Sequence, residues 1–278
     1  MSTTTPQQAL LDNVLATFGN MENPRLKEIV AALVRHMHAF ADEVKLTHQE
    51  WETGIEFLTA CGQKSDENRQ EVILLSDILG LSSLVEMLDY HGSAAATEQT
   101  VLGPFHVQGS VERNNGDSII VTDTGGTLLH VGGTVTNESG EPIAGARVDI
   151  WQNANNGLYP MQDPSQDPMN MRGIFTTDAA GRYSFITTRP LDYSVPADGP
   201  VGALLNATGR HSMRAAHTHF IVTAPGYHPV TTHFFDRQSS YLDSDAVFGV
   251  RDSLILDFER IDDSNLRAVF DITLTPVT

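Results

Sequence analysis

The sequence predicts a mixed α and β protein: a helical N-terminal region over 1–102, then an antiparallel β-sandwich over 103–278. Three observations carry this. Before about residue 100, apolar residues recur every three or four positions; beyond it they alternate in short runs separated by turn residues. Two long stretches, 153–173 and 189–216, interrupt the alternation yet keep their Pro, Gly and aromatic content. The length of 278 residues fits one or two domains.

Along 23–45, Ile29, Leu33, His36, Met37 and Phe40 fall at helical spacing, and Asn23-Pro24 supplies an N-cap and a first-turn proline. Thr47-His-Gln-Glu50 reads as a capping box ahead of a helix carrying Trp51, Ile55, Leu58 and Thr59. A third segment, 67–90, contains Val72, Leu75, Ile78, Leu79, Leu81 and Leu84, with Gly80 as an expected break. A short linker, 94–97, follows. Strands are expected at 118–122, 127–135, 146–152, 183–188, 217–223, 230–235 and 268–275, between turns such as Asn137-Glu-Ser-Gly140 and Ala224-Pro-Gly226. Long loops inside a compact domain are usually functional, so chemistry is expected in 153–173 and 189–216.

Composition narrows the function. With 17 basic and 35 acidic residues the chain carries a formal charge of -18, which repels nucleic-acid backbones and anionic lipid headgroups. Cys61 is the only cysteine, so neither an internal disulfide nor a cysteine zinc cluster can form within the chain. The start, Met1 to Pro6, has no basic stretch followed by an apolar one, and no apolar run reaches membrane-spanning length. A cytoplasmic protein without membrane insertion is expected.

The chemistry begins at Arg214-Ala-Ala-His217-Thr-His219. Residues two apart on a strand share a face, so His217 and His219 can approach one metal ion together. His36 and His38 lie in a helical pattern, where a two-residue step turns them apart. Two imidazoles alone fit zinc or iron. Each long loop also holds a tyrosine, Tyr159 and Tyr193, and a phenol becomes a ligand only where a strong Lewis acid takes its proton, as iron(III) does. Tyr90, Tyr183, Tyr227 and Tyr241 read as packing residues.

These residues together resemble the intradiol ring-cleavage dioxygenases over nearly the whole chain. The resemblance rests on Gly157-Leu-Tyr159, on Tyr193-Ser-Val-Pro196-Ala-Asp-Gly-Pro-Val-Gly202 and on Arg214-Ala-Ala-His217-Thr-His219. It implies one non-haem iron(III) per subunit, with Tyr159 and His217 equatorial, Tyr193 and His219 axial, and hydroxide in the fifth position. It also implies that the diol passes protons to the hydroxide and to Tyr193, with Arg214 as a fixed cation near the ring. The family often has Gln where His233 stands here. A hydrogen bond to a ligand or to a reacting oxygen and simple space filling both remain open for that imidazole.

Leu74-Leu-Ser-Asp77-Ile-Leu-Gly80, Thr100-Val-Leu-Gly-Pro-Phe105 and Ser240 to Gly249 look more like the hydroxyquinol branch than the catechol branch. The implied pocket is Leu74, Asp77, Val101, Pro104, Phe105, Val195, Pro196, Arg214 and Val247. Asp77 sits among apolar neighbours, where a carboxylate needs a partner, and a third ring hydroxyl would supply one. The alternative places Asp77 on the helix surface or beside an Arg. The resemblance further implies a homodimer through the N-terminal helices, with an apolar tunnel that can hold a phospholipid. Open alternatives are a catechol 1,2-dioxygenase, a colourless binding module, and a zinc hydrolase using His217, His219 and a carboxylate such as Asp198.

Overall fold

The structure, a computed structural model, describes residues 5–66 and 69–277. Capping chemistry sets the first helices. Thr5 accepts from Gln8 N to start α1 (Pro6–Ala16), and Asn23 accepts from Leu26 N at 3.0 Å to start α2 (Pro24–Glu43). The expected capping box opens α3 (His48–Lys64): Thr47 N donates to Glu50 Oε2 at 2.8 Å and Glu50 N to Thr47 Oγ1 at 3.3 Å. The third helical segment starts at 67 in the sequence reading, and 67–68 lie outside the described residues. Within it Gly80, at φ 74°, separates α4 (Glu71–Ile78) from α5 (Leu81–Asp89).

The chain packs as two compact units, 1–59 and 60–278. In the first, Leu26, Ile29, Leu33, Met37 and Phe40 of α2 form the expected apolar stripe and are exposed. The second takes in α4 and α5, and α4 packs against the later helix Pro200–Ala207. Leu74, Leu75 and Ile78 are buried, Arg210 donates to Ile78 O at 2.6 Å and the Ser83 hydroxyl to Phe248 O at 2.9 Å.

The strands are β1 (Leu128–Asn137), β2 (Arg147–Trp151), β3 (Arg172–Thr176), β4 (Arg182–Thr188), β5 (Tyr193–Ser194), β6 (Met213–Arg214), β7 (His217–Thr223), β8 (Val230–Asp236), β9 (Ile255–Leu256), β10 (Glu259–Arg260), β11 (Asn265–Val269) and β12 (Ile272–Leu274). One sheet runs β10-β11-β1-β12 with β4 also on β1; the other runs β3-β2-β7-β8-β9; β5 and β6 pair alone. Val131, Phe185 and Ile272 of the first meet Val148, Phe175, Phe220 and Phe234 of the second in one buried cluster.

Several expectations need correction. The sheets are mixed, since β1 runs parallel to β11 and β12, and β8 to β9. A period of two reads the same in either direction, so alternation cannot reveal this. Residues 118–122 form no strand; Ser118 makes a single bridge to Ile186 while Ile119 is buried in the core. The expected strand 268–275 is split between β11 and β12. β3 closes the first long loop, and the second contains β5, α6 (Pro200–Ala207) and β6.

Candidate metal centre

The site is built on the face of the second sheet that turns away from the core. Register places Arg172 beside Trp151, Trp151 beside His219 and His219 beside His233, one transverse row over β3, β2, β7 and β8. Alternation sends Ile150, Phe220 and Phe234 inward and leaves this row on the opposite face. His217 stands two residues before His219, and their Nε2 atoms lie 3.0 Å apart. Both rings are 1% exposed.

The two imidazoles are held differently. His217 Nδ1 lies 2.6 Å from Ala215 O, and a carbonyl only accepts, so Nδ1 carries the proton and Nε2 keeps its lone pair. His219 Nδ1 has no hydrogen-bond partner among the described residues. Its ring stacks on Trp151, with centroids 4.6 Å apart and planes 10° from parallel, and meets His233 edge-on at 4.0 Å. Gly103, at φ 74°, closes another side: a Cβ there would come within 3.2 Å of His219 Cε1.

The loop tyrosines arrive beside them. Gly157, at φ 78°, turns the chain back so that Ala154 N donates to Leu158 O, and Tyr159 N donates to Gln162 Oε1 at 3.0 Å. Tyr193 is paired in register with Arg214 across β5 and β6. The two phenol rings are 5.5 Å apart, with Tyr159 6.3 Å from His219 and Tyr193 5.5 Å from His217. Tyr159 is fully buried, and its hydroxyl makes no hydrogen bond among the described residues. Of the four tyrosines expected to pack, Tyr183 donates to Phe270 O and Tyr90 to Ser93 O and Ala96 O, while Tyr227 and Tyr241 pack against the core.

The protonation states of the imidazoles suit a metal ion. Burial, then neighbouring positive charge from Arg214, holds His217 well below the usual imidazole range. Burial and the neighbouring imidazoles do the same to His219, so both are neutral donors needing no deprotonation. Burial raises both phenols, most strongly Tyr159, so only a strong Lewis acid would ionise them. Two neutral imidazoles with converging Nε2 atoms, an unpaired buried phenol and a second phenol fit a hard trivalent ion. His217, His219 and His233 also offer nitrogens within 4.8 Å of one another, a three-imidazole set that zinc accepts. Asp198 does not join it; that carboxylate is exposed and ion-paired to Arg69 and Lys64.

Arg214 is 1% exposed and lies against the cluster, with Nη1 3.1 Å from His217 Nε2 and 3.4 Å from Tyr193 Oη. Burial opposes its charge, yet Asp245 and the two phenols outweigh burial and hold the guanidinium above its ordinary range. A cavity of about 420 Å³ opens nearby, lined by Leu74, Pro104, Phe105 and Pro196 of the expected pocket together with Leu158 and Met161. Phe105 stacks on Tyr159 at 4.3 Å. Val101, Val195 and Val247 are buried without lining that cavity. Asp77 is 2% exposed, which removes the helix-surface alternative. Burial raises its pKa, with the Ser82 hydroxyl and then Arg214 opposing, so it shares the field of Arg214 without an ion pair among the described residues.

Sequence reasoning gave no role to Trp151, Arg172, Asp245 or Glu71. Register between strands is absent from a single sequence, which hid the first two. Asp245 lies within a stretch whose spacing gave no partner. Glu71 is fully buried, pairs with Arg69 and accepts from Val201 N at 3.1 Å in the first turn of α6. Gly199 makes this approach feasible, since a Cβ there would stand 2.3 Å from Glu71 Oε1. That gives the Asp198-Gly-Pro-Val-Gly202 run a structural reason.

Comparison with known proteins agrees with this geometry. Residues 23–97 match the family model described as catechol dioxygenase N terminus, and 101–276 the one described as dioxygenase. A 6-chlorohydroxyquinol 1,2-dioxygenase of Cupriavidus pinatubonensis is 46% identical over 97% of this chain and 98% of its own. A solved hydroxyquinol 1,2-dioxygenase of Pseudomonas putida superposes with a TM-score of 0.89 at 43% identity, covering 98% of this chain and 99% of the other. A catechol 1,2-dioxygenase structure from Acinetobacter gives 0.85 at 28% identity, covering 99% and 94%.

Proposed function

Because this chain belongs to the intradiol ring-cleavage dioxygenases, we propose that it adds both atoms of dioxygen to hydroxyquinol (benzene-1,2,4-triol). The ring opens between the adjacent hydroxylated carbons to 3-hydroxy-cis,cis-muconate, or maleylacetate, in the breakdown of aromatic compounds. The family depends on iron in general. Here Tyr159, Tyr193, His217 and His219 would hold one iron(III) per subunit. Bound there, it acidifies the diol and draws electron density from the ring.

The chain's own residues divide the remaining work. Leu74, Pro104, Phe105 and Pro196 receive the flat ring; Val101, Val195 and Val247 supply buried apolar bulk behind it. Tyr193 Oη takes a proton from the diol. Arg214 is a buried, fixed cation that favours carbanion character in the ring. His233 stacks on His217 at 4.6 Å and helps to set that ring's plane.

The observation that carries the choice of hydroxyquinol is buried Asp77. The 4-hydroxyl would give it a hydrogen bond, whereas catechol would leave it facing an unsubstituted ring edge. Asp77→Ala should lower kcat/KM for hydroxyquinol by about 10- to 100-fold and that for catechol by less than about threefold. Equal losses on both diols would discard this assignment and favour catechol.

The exposed stripe of α2 supports a homodimer through the N-terminal helices, with an apolar tunnel suited to a phospholipid. The reduced, buried Cys61 and the acidic charge support a cytoplasmic location. No helix among the described residues is long and apolar enough to cross a membrane.

A further inference from the structure

We propose that Asp245 is the positioning residue for Arg214, clamping the guanidinium with Gly249 so that its free edge meets the substrate. This rests on the dioxygenase reading, in which Arg214 is the fixed cation beside the ring. Asp245 Oδ1 accepts from Arg214 Nε at 3.2 Å, and both side chains are 2% exposed.

The carboxylate is saturated from two separate segments. Oδ1 also takes Ala215 N at 3.3 Å, and Oδ2 takes Gly249 N at 2.8 Å. The loop that carries Asp245 is itself tied down. Ala246 N donates to Met213 O at 3.0 Å, Arg210 donates to Ala246 O at 2.8 Å, and the Thr100 hydroxyl donates to Gly249 O. Phe248 is kept at φ 56°, a left-handed conformation rare for a bulky side chain.

Gly249 forms the other jaw. A Cβ there would lie 2.9 Å from Arg214 Nη2 and 3.2 Å from Asp245 Oδ2, so glycine lets the backbone come closer to Nη2 than a side chain would allow. An arginine side chain samples many rotamers when free. Here Nε is taken by Asp245, Nη1 faces His217 and Tyr193, and Nη2 is buried without a partner among the described residues. A fixed donor edge of this kind stabilises charge without reorganising during the reaction. Simple neutralisation of a buried arginine would need the carboxylate but not the second jaw.

A double-mutant cycle on the iron-loaded enzyme tests this. Turnover of hydroxyquinol gives kcat and KM, and single-turnover decay of the anaerobic substrate complex on mixing with dioxygen reads the slow variants. Asp245→Asn should lower kcat about 10- to 100-fold with KM changed less than about threefold, while the visible band of the substrate-free enzyme stays in place. In an Arg214→Met background the same substitution should cost less than about twofold. Gly249→Ala keeps the carboxylate and should behave alike, losing activity with arginine at 214 and little with methionine. Equal losses in both backgrounds, or an unchanged kcat in Asp245→Asn, would overturn the clamp. A wild-type protein that opens no diol would instead defeat the underlying dioxygenase reading.

Discussion

The histidine half and the tyrosine half of this site are held by opposite means. β7 is paired on both sides, with β2 and β8, so His217 and His219 inherit their places from a continuous ladder. Tyr159 sits at the end of a loop, and Tyr193 on a two-residue strand paired with β6 alone. Among the described residues His219 Nδ1 makes no hydrogen bond, and its ring is oriented by the strand and by stacking on Trp151. Metal-bound histidines usually donate that second N–H. The loops have no more ladder than the two-residue β5–β6 pair, so side chains lock them: Gln162 fixes Tyr159 N, while Asp192 accepts from Ala216 N at 2.8 Å and from Ser239 and Ser240. Rigidity in one half comes from backbone pairing, and in the other from individual polar contacts.

This difference can be broken at graded cost. The largest effect is expected for His219→Ala, which should abolish iron retention and lower turnover by more than about 1,000-fold while the apo-protein keeps its far-ultraviolet circular dichroism. Iron content after gel filtration, set against the spectrum, checks it. Next comes Trp151→Leu, which removes the stacking surface behind His219. It should weaken iron affinity about 10- to 100-fold, as loss of an outer support does, and Trp151→Phe should recover part of that. Competition with a chelator reads both. Asp192→Ala should destabilise the protein by about 1 kcal/mol, because the donors of Ala216, Ser239 and Ser240 lose a shared acceptor, and denaturant titration measures it.

The smallest effect concerns pH. Burial makes the folded protein hold the Asp77 proton more tightly than the unfolded chain does. The acid form therefore stabilises the fold at low pH, and that contribution fades as pH rises through the raised folded value. Asp77→Asn should match the wild type near pH 4 and melt about 2 °C higher at pH 8. Melting curves across that range decide it, and a variant less stable at pH 8 would show that the Ser82 and Arg214 interactions outweigh burial.

The same contrast explains what the sequence made legible. Periodicity and capping residues are local, so α2, the Thr47–Glu50 box, β7 and β8 could be read within a residue or so. Both histidines and both tyrosines emerged from short motifs whose chemistry points to a hard metal. Contacts between distant segments stayed hidden. Nothing near Asp245 announces Arg214, Trp151 gains meaning only when β2 registers with β7, and parallel pairing of β1 with β11 leaves no trace in an alternating pattern. Pocket residues fell between these cases: Leu74, Pro104, Phe105 and Pro196 line one cavity, while Asp77 and Val101 are buried deeper.

The central claim is that two phenolates and two imidazoles hold iron(III), and the visible absorption spectrum of the iron-loaded protein tests it most directly. Tyrosinate bound to iron(III) predicts a red protein with a broad charge-transfer band that shifts when hydroxyquinol is added without oxygen, and that loses intensity in both Tyr159→Phe and Tyr193→Phe. A protein that stays colourless after reconstitution with iron(III) would contradict the claim and favour zinc on His217, His219 and His233.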